Sequence, residues 1–266
     1  MKTTFAALVL CLCLGLSAWA QKKDGNILPA QDGVLATVTL ADGGVVVIVD
    51  SFGRAGHNSP GCGLGVTGGF AVDEADSVLC LHTDFFSTGG AVQNINPTNC
   101  GVINQITVDP KAANHATSAV QCGDCRFDFD QTVSNDTKNW TTLVAVSGNN
   151  CTLGCYYSYN DYDVHGFANN NGSFQTGATT LGQFVVRNGS IMSEVHYLFS
   201  DQSTAIHWIQ DSYPTVLTGL SALTSCVDLT DSPPTFVGDW TAALQFPAGS
   251  TAISYSLGRD DTTSYP

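Results

Sequence analysis

The sequence predicts an all-β domain, built as an antiparallel two-layer sandwich or half-barrel and reinforced by disulfide bonds. Short β-branched or aromatic segments recur along the chain, and segments with helical periodicity are scarce. The cysteine count is even, as in many exported proteins. We expect a single extracellular β domain over residues 21–266, with a frayed C-terminal tail after residue 257.

Residues 1–20 have the features of a cleavable signal peptide. Lys2 precedes an apolar run over residues 5–16, and small residues lead to a cleavage site after Ala20. That run is too short to cross a bilayer, and no later stretch has the roughly 18 apolar residues that a spanning helix needs. We therefore expect a secreted, extracellular protein with no membrane span.

The cysteines of the mature chain predict structural disulfide bonds. Cys11 and Cys13 leave with the signal peptide, and eight cysteines remain. Their pairing stays open, because eight cysteines allow about 105 connectivities. The spacing of Cys122 with Cys125 also suits zinc thiolates or a redox pair, but an oxidising compartment favours disulfides. The predicted disulfide cysteines are Cys62, Cys80, Cys100, Cys122, Cys125, Cys151, Cys155 and Cys226.

The charge balance and the glycosylation signals narrow the classes of partner. With 9 Lys+Arg against 23 Asp+Glu, the chain carries a net charge of −14, which argues against nucleic acid or an anionic membrane as a partner. Five Asn-x-Ser/Thr sites fall within residues 135–188, which we expect to be loop-rich and solvent-facing. The predicted glycosylation sites are Asn135, Asn139, Asn150, Asn171 and Asn188.

The strongest local strand signal is a predicted β-hairpin. Residues 33–40 and 45–49 are β-rich and flank the turn sequence at Asp42 and Gly43. Residues 51–69 are rich in Gly, Ser, Asn and Pro and are predicted to form a loop. Further predicted strands cover residues 77–81, 91–95, 101–108, 125–129, 140–146, 183–187 and 193–199.

Two groups of residues are candidate metal ligands. If residues 201–202 form a two-residue hairpin loop, His196 faces His207 across the strands and Glu194 shares their face, which suits zinc or copper. Asp161 and Asp163 alternate in a polar segment, as carboxylates in calcium sites often do, and Asp128 and Asp130 have the same spacing. Solvated polar faces and ordinary turn acids are the simpler explanation of both patterns. Calcium is the favoured candidate cofactor, ahead of zinc or copper.

Catalytic motifs are sparse. The sequence contains no Gly-x-Ser-x-Gly and no His-Glu-x-x-His, and its six histidines are scattered. An enzyme is therefore the less favoured class, and no catalytic residue is assigned.

Residues 84–100, followed by residues 101–104, resemble part of a known family. An aromatic strand, a glycine turn, a second strand and Cys100 follow one another as in ependymin-related secreted glycoproteins, and residues 140–151 and 213–226 are compatible with later parts of that pattern. The resemblance implies two stacked antiparallel sheets, an apolar ligand cleft and calcium-sensitive behaviour.

These observations together predict a secreted glycoprotein that binds an apolar small molecule or an extracellular matrix partner, with calcium as its candidate cofactor. An acidic structural or matrix protein is the first alternative, and a secreted enzyme of unknown chemistry is the second. A concave apolar pocket favours binding, a convex acidic surface favours the matrix role, and a buried His-Asp cluster beside a cleft favours catalysis.

Overall fold

The computed structural model describes residues 37–42, 45–56, 77–134, 136, 139–164, 170–176, 182–188, 191–199 and 206–259. The predicted signal peptide and the chain beyond residue 259 lie outside these residues. The described elements are β1 (Thr37–Asp42), β2 (Val45–Asp50), β3 (Ala55–Gly56), β4 (Ser77–Ser87), β5 (Gln93–Asn94), β6 (Gly101–Asp109), β7 (Ala112–Cys122), β8 (Cys125–Ser134), β9 (Asn139–Ser147), β10 (Cys155–Val164), β11 (Asn170–Thr176), β12 (Gly182–Asn188), β13 (Ile191–Phe199), β14 (His207–Ser212), α1 (Thr215–Ser221), β15 (Thr235–Gly238), β16 (Trp240–Phe246) and β17 (Ala252–Arg259).

The strands form two antiparallel sheets that pack face to face. The eight-stranded sheet has the order β1-β2-β3-β4-β10-β16-β14, with β5 paired to β4. The nine-stranded sheet has the order β15-β11-β12-β13-β17-β9-β8-β7-β6. The prediction of an all-β, disulfide-reinforced sandwich is therefore confirmed. In the described parts of the chain, no helix is long and apolar enough to cross a membrane.

Strict alternation of side chains explains how the nine-stranded sheet faces the core. In β8 the side chains of Phe127 and Phe129 are buried, whereas those of Arg126, Asp128 and Asp130 alternate with them on the outer face. The inward side chains of β8, β9 and β17 pack with inward side chains of β4, β10 and β16 into the main core cluster.

The central strands of the eight-stranded sheet are buried on both faces. On the face away from the main core, Phe85, Tyr157 and Tyr159 pack under the buried side of α1, at Leu217 and Leu220. Because β10 lies within residues 135–188, the expectation that this segment is loop-rich is wrong. The sequons flank a strand whose two faces both pack against other elements.

Predictions from local sequence patterns are confirmed for some elements and not for others. The β1–β2 hairpin is confirmed, since Asp42 pairs with Val45 across the turn. Of the predicted strand over residues 91–95, only Gln93 and Asn94 pair with β4. The helix α1 was not predicted, because it spans only 7 residues and lacks a side-chain cap at its start.

Disulfide bonds join strand ends to neighbouring loops. Cys100 bonds Cys122 and Cys125 bonds Cys151, although Cys122 and Cys125 face each other across the β7–β8 turn. A third bond joins Cys155 to Cys226. Cys80 is also disulfide-bonded, and Cys62 lies outside the described residues. The prediction of structural disulfides is confirmed for the seven described cysteines.

A glycine permits the close packing of β11 on the eight-stranded sheet. A Cβ atom at Gly172 would overlap the indole of Trp240. That indole donates from Nε1 to Oε1 of Gln210 at 2.8 Å, so the ring is held in place. A side chain at position 172 would have to displace this pair.

Candidate functional site

A groove with a volume of about 820 Å³ runs across the outer face of the nine-stranded sheet. Residues of β6, β7, β8 and β9 line it. Its floor includes Asp128 and Asp130 of β8 and Leu143 and Ala145 of β9, which alternate along their strands with buried side chains. Because side chains alternate along each strand, one set of side chains packs in the core and the other set lines the groove.

Irregular pairing of the edge strand β6 shapes one side of the groove. The β6–β7 register shifts between Val102 and Asn104 and again between Asn104 and Thr107. Such bulges bend a strand and redirect its side chains. Ile103, Asn104, Gln105 and Thr107 of this irregular stretch all line the groove.

Each groove carboxylate has a basic partner. The Arg126 guanidinium donates to both carboxylate oxygens of Asp128, with Nε distances of 3.0 and 2.8 Å, and this hydrogen bond and the charge raise the pKa of Arg126. The imidazole Nε2 of His115 lies 2.9 Å from Oδ1 of Asp130, and its Nδ1 lies 3.6 Å from Oδ2 of Asp109. The carboxylates are thus held in fixed orientations while they stay partly exposed, at 39% and 50%.

Hydroxyl groups on the groove lining come from Thr107 of β6 and Thr117 of β7, both of which are exposed. The Ser118 side chain lies on the inner face of β7, because Ser118 is 4% exposed and pairs with the core residue Phe129. Apolar surface completes the lining, since Leu143 and Ile103 are 48% and 43% exposed. The groove therefore combines acceptors, amides, hydroxyls and small apolar patches.

A second polar group is enclosed between the sheets. His82 Nε2 lies 2.8 Å from the Tyr255 hydroxyl, which donates to Oδ2 of Asp84 at 2.7 Å. His82 Nδ1 lies 2.9 Å from Oδ1 of Asn160. These residues are at most 1% exposed, and none of them lines the groove. A His-Asp cluster therefore exists, but it does not open onto the groove.

The hairpin that was predicted to bring His196 opposite His207 is wrong. His196 in β13 pairs with Val185 and Gly258, whereas His207 in β14 pairs with Gln245 in the other sheet. Alternation shows that a strand is half-buried but does not select its partner strand. The zinc or copper prediction for Glu194, His196 and His207 thus loses the strand pairing on which it was based.

The structure gives His207 different neighbours. Its Nδ1 lies 2.8 Å from Oδ2 of Asp231, and its Nε2 lies 3.9 Å from Oδ2 of Asp228. Asp231 also accepts from the Trp208 backbone N–H at 2.8 Å, which ties residues 226–234 to β14. Among the described residues, no three His, Cys, Asp or Glu side chains are grouped closely enough to hold a metal ion.

The calcium candidates Asp161 and Asp163 both lie in β10. Asp161 is 1% exposed and precedes a register shift against β4, and the side chain of Asp163 lies outside the described part. Calcium binding there remains a prediction.

The predicted glycosylation sites differ in exposure. Asn150 and Asn171 have exposed side chains, and Asn139 is partly buried at the start of β9. Asn188 ends β12, and Asn135 lies outside the described residues.

Sequence reasoning singled out Asp128 and Asp130 but missed the rest of the groove. Asn104 and Thr117 meet these acids only through strand pairing. The alternation over residues 126–130 was the one available signal, because it places both acids on the same face.

Among the comparisons with known proteins, the one with solved structures shows a similar fold and nothing further. No protein-family model matches the sequence, and no curated protein is significantly similar to it. A crystal structure of bacterial glucoamylase complexed with acarbose is similar in fold, with a TM-score of 0.57 and 11% identity over 89% of this chain. The match covers 35% of the glucoamylase chain, so this chain spans about a third of its length. The class that fold and groove define is a large antiparallel β-sandwich with a polar groove on one outer face.

Proposed function

We propose that this protein is an extracellular binding protein whose groove across β6, β7, β8 and β9 takes a hydroxyl-rich ligand, an oligosaccharide. The observation that carries the proposal is the groove lining, in which the carboxylates of Asp128 and Asp130 lie beside amides, hydroxyls and the exposed Leu143. Sugar hydroxyls both donate and accept hydrogen bonds, and sugar rings also present apolar C–H faces. The lining offers a complement to each of these features.

Charge distribution favours a neutral ligand over a cation. Arg126 and His115 already contact the two groove carboxylates. A carboxylate held in this way keeps lone pairs for hydroxyl donors, since it has about four acceptor positions. A cation would have to compete with both basic side chains.

The polar lining also argues against the apolar small molecule expected from the sequence. Ile103, Leu143 and Ala145 bring apolar side chains to the groove, whereas the side chain of Phe129 faces the core. Apolar ligands are favoured by pockets that are predominantly hydrophobic. A hydrophilic extracellular partner therefore fits better.

Export and glycosylation belong to the same proposal. Three disulfide bonds among the described residues support an oxidising compartment. The fold shared with part of a glucoamylase supports the sandwich architecture, and the saccharide assignment depends on the groove alone. Calcium dependence through Asp161 and Asp163 remains part of the proposal.

A secreted enzyme is the second candidate, and one observation favours it. His82, Asp84 and Tyr255 form a hydrogen-bonded cluster of the kind that transfers protons in active sites. Because all three side chains are enclosed, a substrate could reach them only through an opening between the sheets. Binding in the groove needs no such rearrangement.

Isothermal titration calorimetry with maltohexaose, cellohexaose and xylohexaose tests the proposal. We expect at least one of them to bind with a Kd of about 1 mM or tighter. Leu143→Arg should fill the groove and weaken that binding by at least roughly tenfold, which corresponds to about 1.4 kcal/mol. Val237→Arg is the matched control, because Val237 is 64% exposed on β15 at the far edge of the same sheet.

Two results would contradict the saccharide-binding function. One is that none of the three saccharides binds. The other is that Leu143→Arg and Val237→Arg have equal effects, since binding would then lie outside the groove.

A further inference from the structure

Polar side chains from both sheets meet in the middle of the main core. In the nine-stranded sheet, Tyr255 pairs with Thr142 and Thr142 pairs with Gln131, so the three lie side by side on adjacent strands. In the eight-stranded sheet, His82 pairs with Asn160. The contacts of His82 and Asp84 with the Tyr255 hydroxyl join the two sets.

Several atoms of this core cluster lack a hydrogen-bond partner among the described residues. The side chains concerned are at most 1% exposed. The acceptor atom is Asp84 Oδ1, the donors are Asn160 Nδ2 and Trp140 Nε1, and groups that can do both are the Thr142 hydroxyl and the Gln131 amide. The Trp140 ring centroid lies 4.9 Å from that of His82, so its indole borders the same cluster.

Buried polar atoms without partners are rare in folded proteins, because each loses its hydrogen bonds to water without replacement. Five neighbouring side chains with such atoms therefore require a common explanation. Direct pairing would satisfy some of them, since Gln131 and Thr142 are cross-strand neighbours. It would leave Asp84 Oδ1 and Asn160 Nδ2 on the opposite sheet unsatisfied.

The geometry points to an enclosed water-binding site around the His82–Tyr255 pair. Water is the ligand that fits, because it donates to Asp84 Oδ1 and accepts from Asn160 Nδ2 and Trp140 Nε1. A metal cation does not fit, because the two N–H donors would face it. Six orphaned atoms correspond to on the order of two water molecules, since a buried water makes about three hydrogen bonds. These waters bridge the two sheets where the core is polar.

A high-resolution crystal structure of the purified full chain tests this inference without any substitution. Solvent peaks should lie within about 2.7–3.2 Å of Asp84 Oδ1 and Asn160 Nδ2. In solution, nuclear Overhauser contacts between long-lived water and the Trp140 indole N–H should appear. Absence of solvent density, with the same polar atoms paired directly to one another, would overturn the inference.

Thr142→Val gives a second test, because it removes one hydroxyl while it conserves the shape of the side chain. We expect it to remove or shift one solvent peak and to leave the other in place. Thr141→Val is the control, since Thr141 lies on the outer face of the same strand and pairs with the Ser256 hydroxyl at 2.8 Å. An unchanged solvent pattern in Thr142→Val would count against the site. The saccharide titrations are independent of this result.

Discussion

The imidazole Nε2 of His82 lies 2.8 Å from the hydroxyl oxygen of Tyr255, 173 residues away in the chain. His82 belongs to β4 and Tyr255 to β17, so the contact joins the two sheets through their fully buried faces. The same hydroxyl donates to Asp84. One phenol thus contacts both His82 and Asp84.

Tyr255→Phe should destabilise the fold by about 1–3 kcal/mol, because it leaves His82 Nε2 and Asp84 Oδ2 buried without this hydroxyl. The free energy of unfolding in urea, followed by circular dichroism, measures the effect. Tyr157→Phe is a useful comparison, since its hydroxyl bonds the backbone of Val227, a residue that is 44% exposed. Equal and negligible losses in both variants would contradict the organising role of Tyr255.

Gly172→Ala should cost about 1–3 kcal/mol, because the added methyl group overlaps the Trp240 indole and the core has little room for it. Thermal and urea unfolding of the variant measure this loss. Gly219→Ala in α1 is the control, since nothing lies within 4 Å of the added atom, and it should stabilise by about 0.5–1 kcal/mol. If Gly172→Ala matched its control, the close approach of β11 to Trp240 would be wrong.

Ionisation of the Tyr157 phenol should lower the free energy of unfolding at alkaline pH. Burial raises the pKa of its phenol above the ordinary value, the Asp228 charge adds to this, and the Val227 N–H opposes it. The unfolded chain therefore loses the proton first, at about pH 10, so stability is lost as the pH rises from there towards the folded-state pKa. In an absorbance titration of phenolate, the late phase should lose the amplitude of one tyrosine in Tyr157→Phe. A Tyr157→Phe variant with an unchanged alkaline transition would contradict this prediction.

Asn150 should carry an N-glycan when the protein is secreted from eukaryotic cells, because its side chain is exposed in the β9–β10 loop. Asn150→Gln should lower the intact mass by one glycan. Asn171→Gln, at the other exposed sequon, should do the same independently. If neither variant lost mass, the predicted export or the accessibility of these two sites would be wrong.

Calcium should raise the melting temperature if Asp161 and Asp163 bind it, because a cation that binds only the folded state stabilises that state. Sodium chloride at matched ionic strength is the control, since it screens the net charge of −14 without occupying a site. In the double variant Asp161→Asn, Asp163→Asn, calcium should raise the melting temperature no more than sodium chloride does. Identical responses to both salts would remove calcium from the proposal.

Short-range features were predictable because they depend on neighbouring residues. The β1–β2 hairpin follows from two β-rich segments around an Asp-Gly turn, and the strand over residues 125–129 follows from its alternation. The same alternation placed Asp128 and Asp130 on one face before any pairing was known. The even number of cysteines and the predicted export likewise predicted disulfide bonds, although they did not predict which cysteines pair.

By itself, then, the sequence determined the all-β class, several strands and their inward faces. These follow from the local alternation of apolar and polar side chains, because successive side chains of a strand point to opposite faces. Only the tertiary structure decided which strands pair. It separated His196 from His207 into two sheets, joined His82 to Tyr255, and bent β6 so that Ile103 and Asn104 line the groove with Asp128. These outcomes depend on long-range pairing, and that pairing is selected by burial of whole sheet faces rather than by any local pattern.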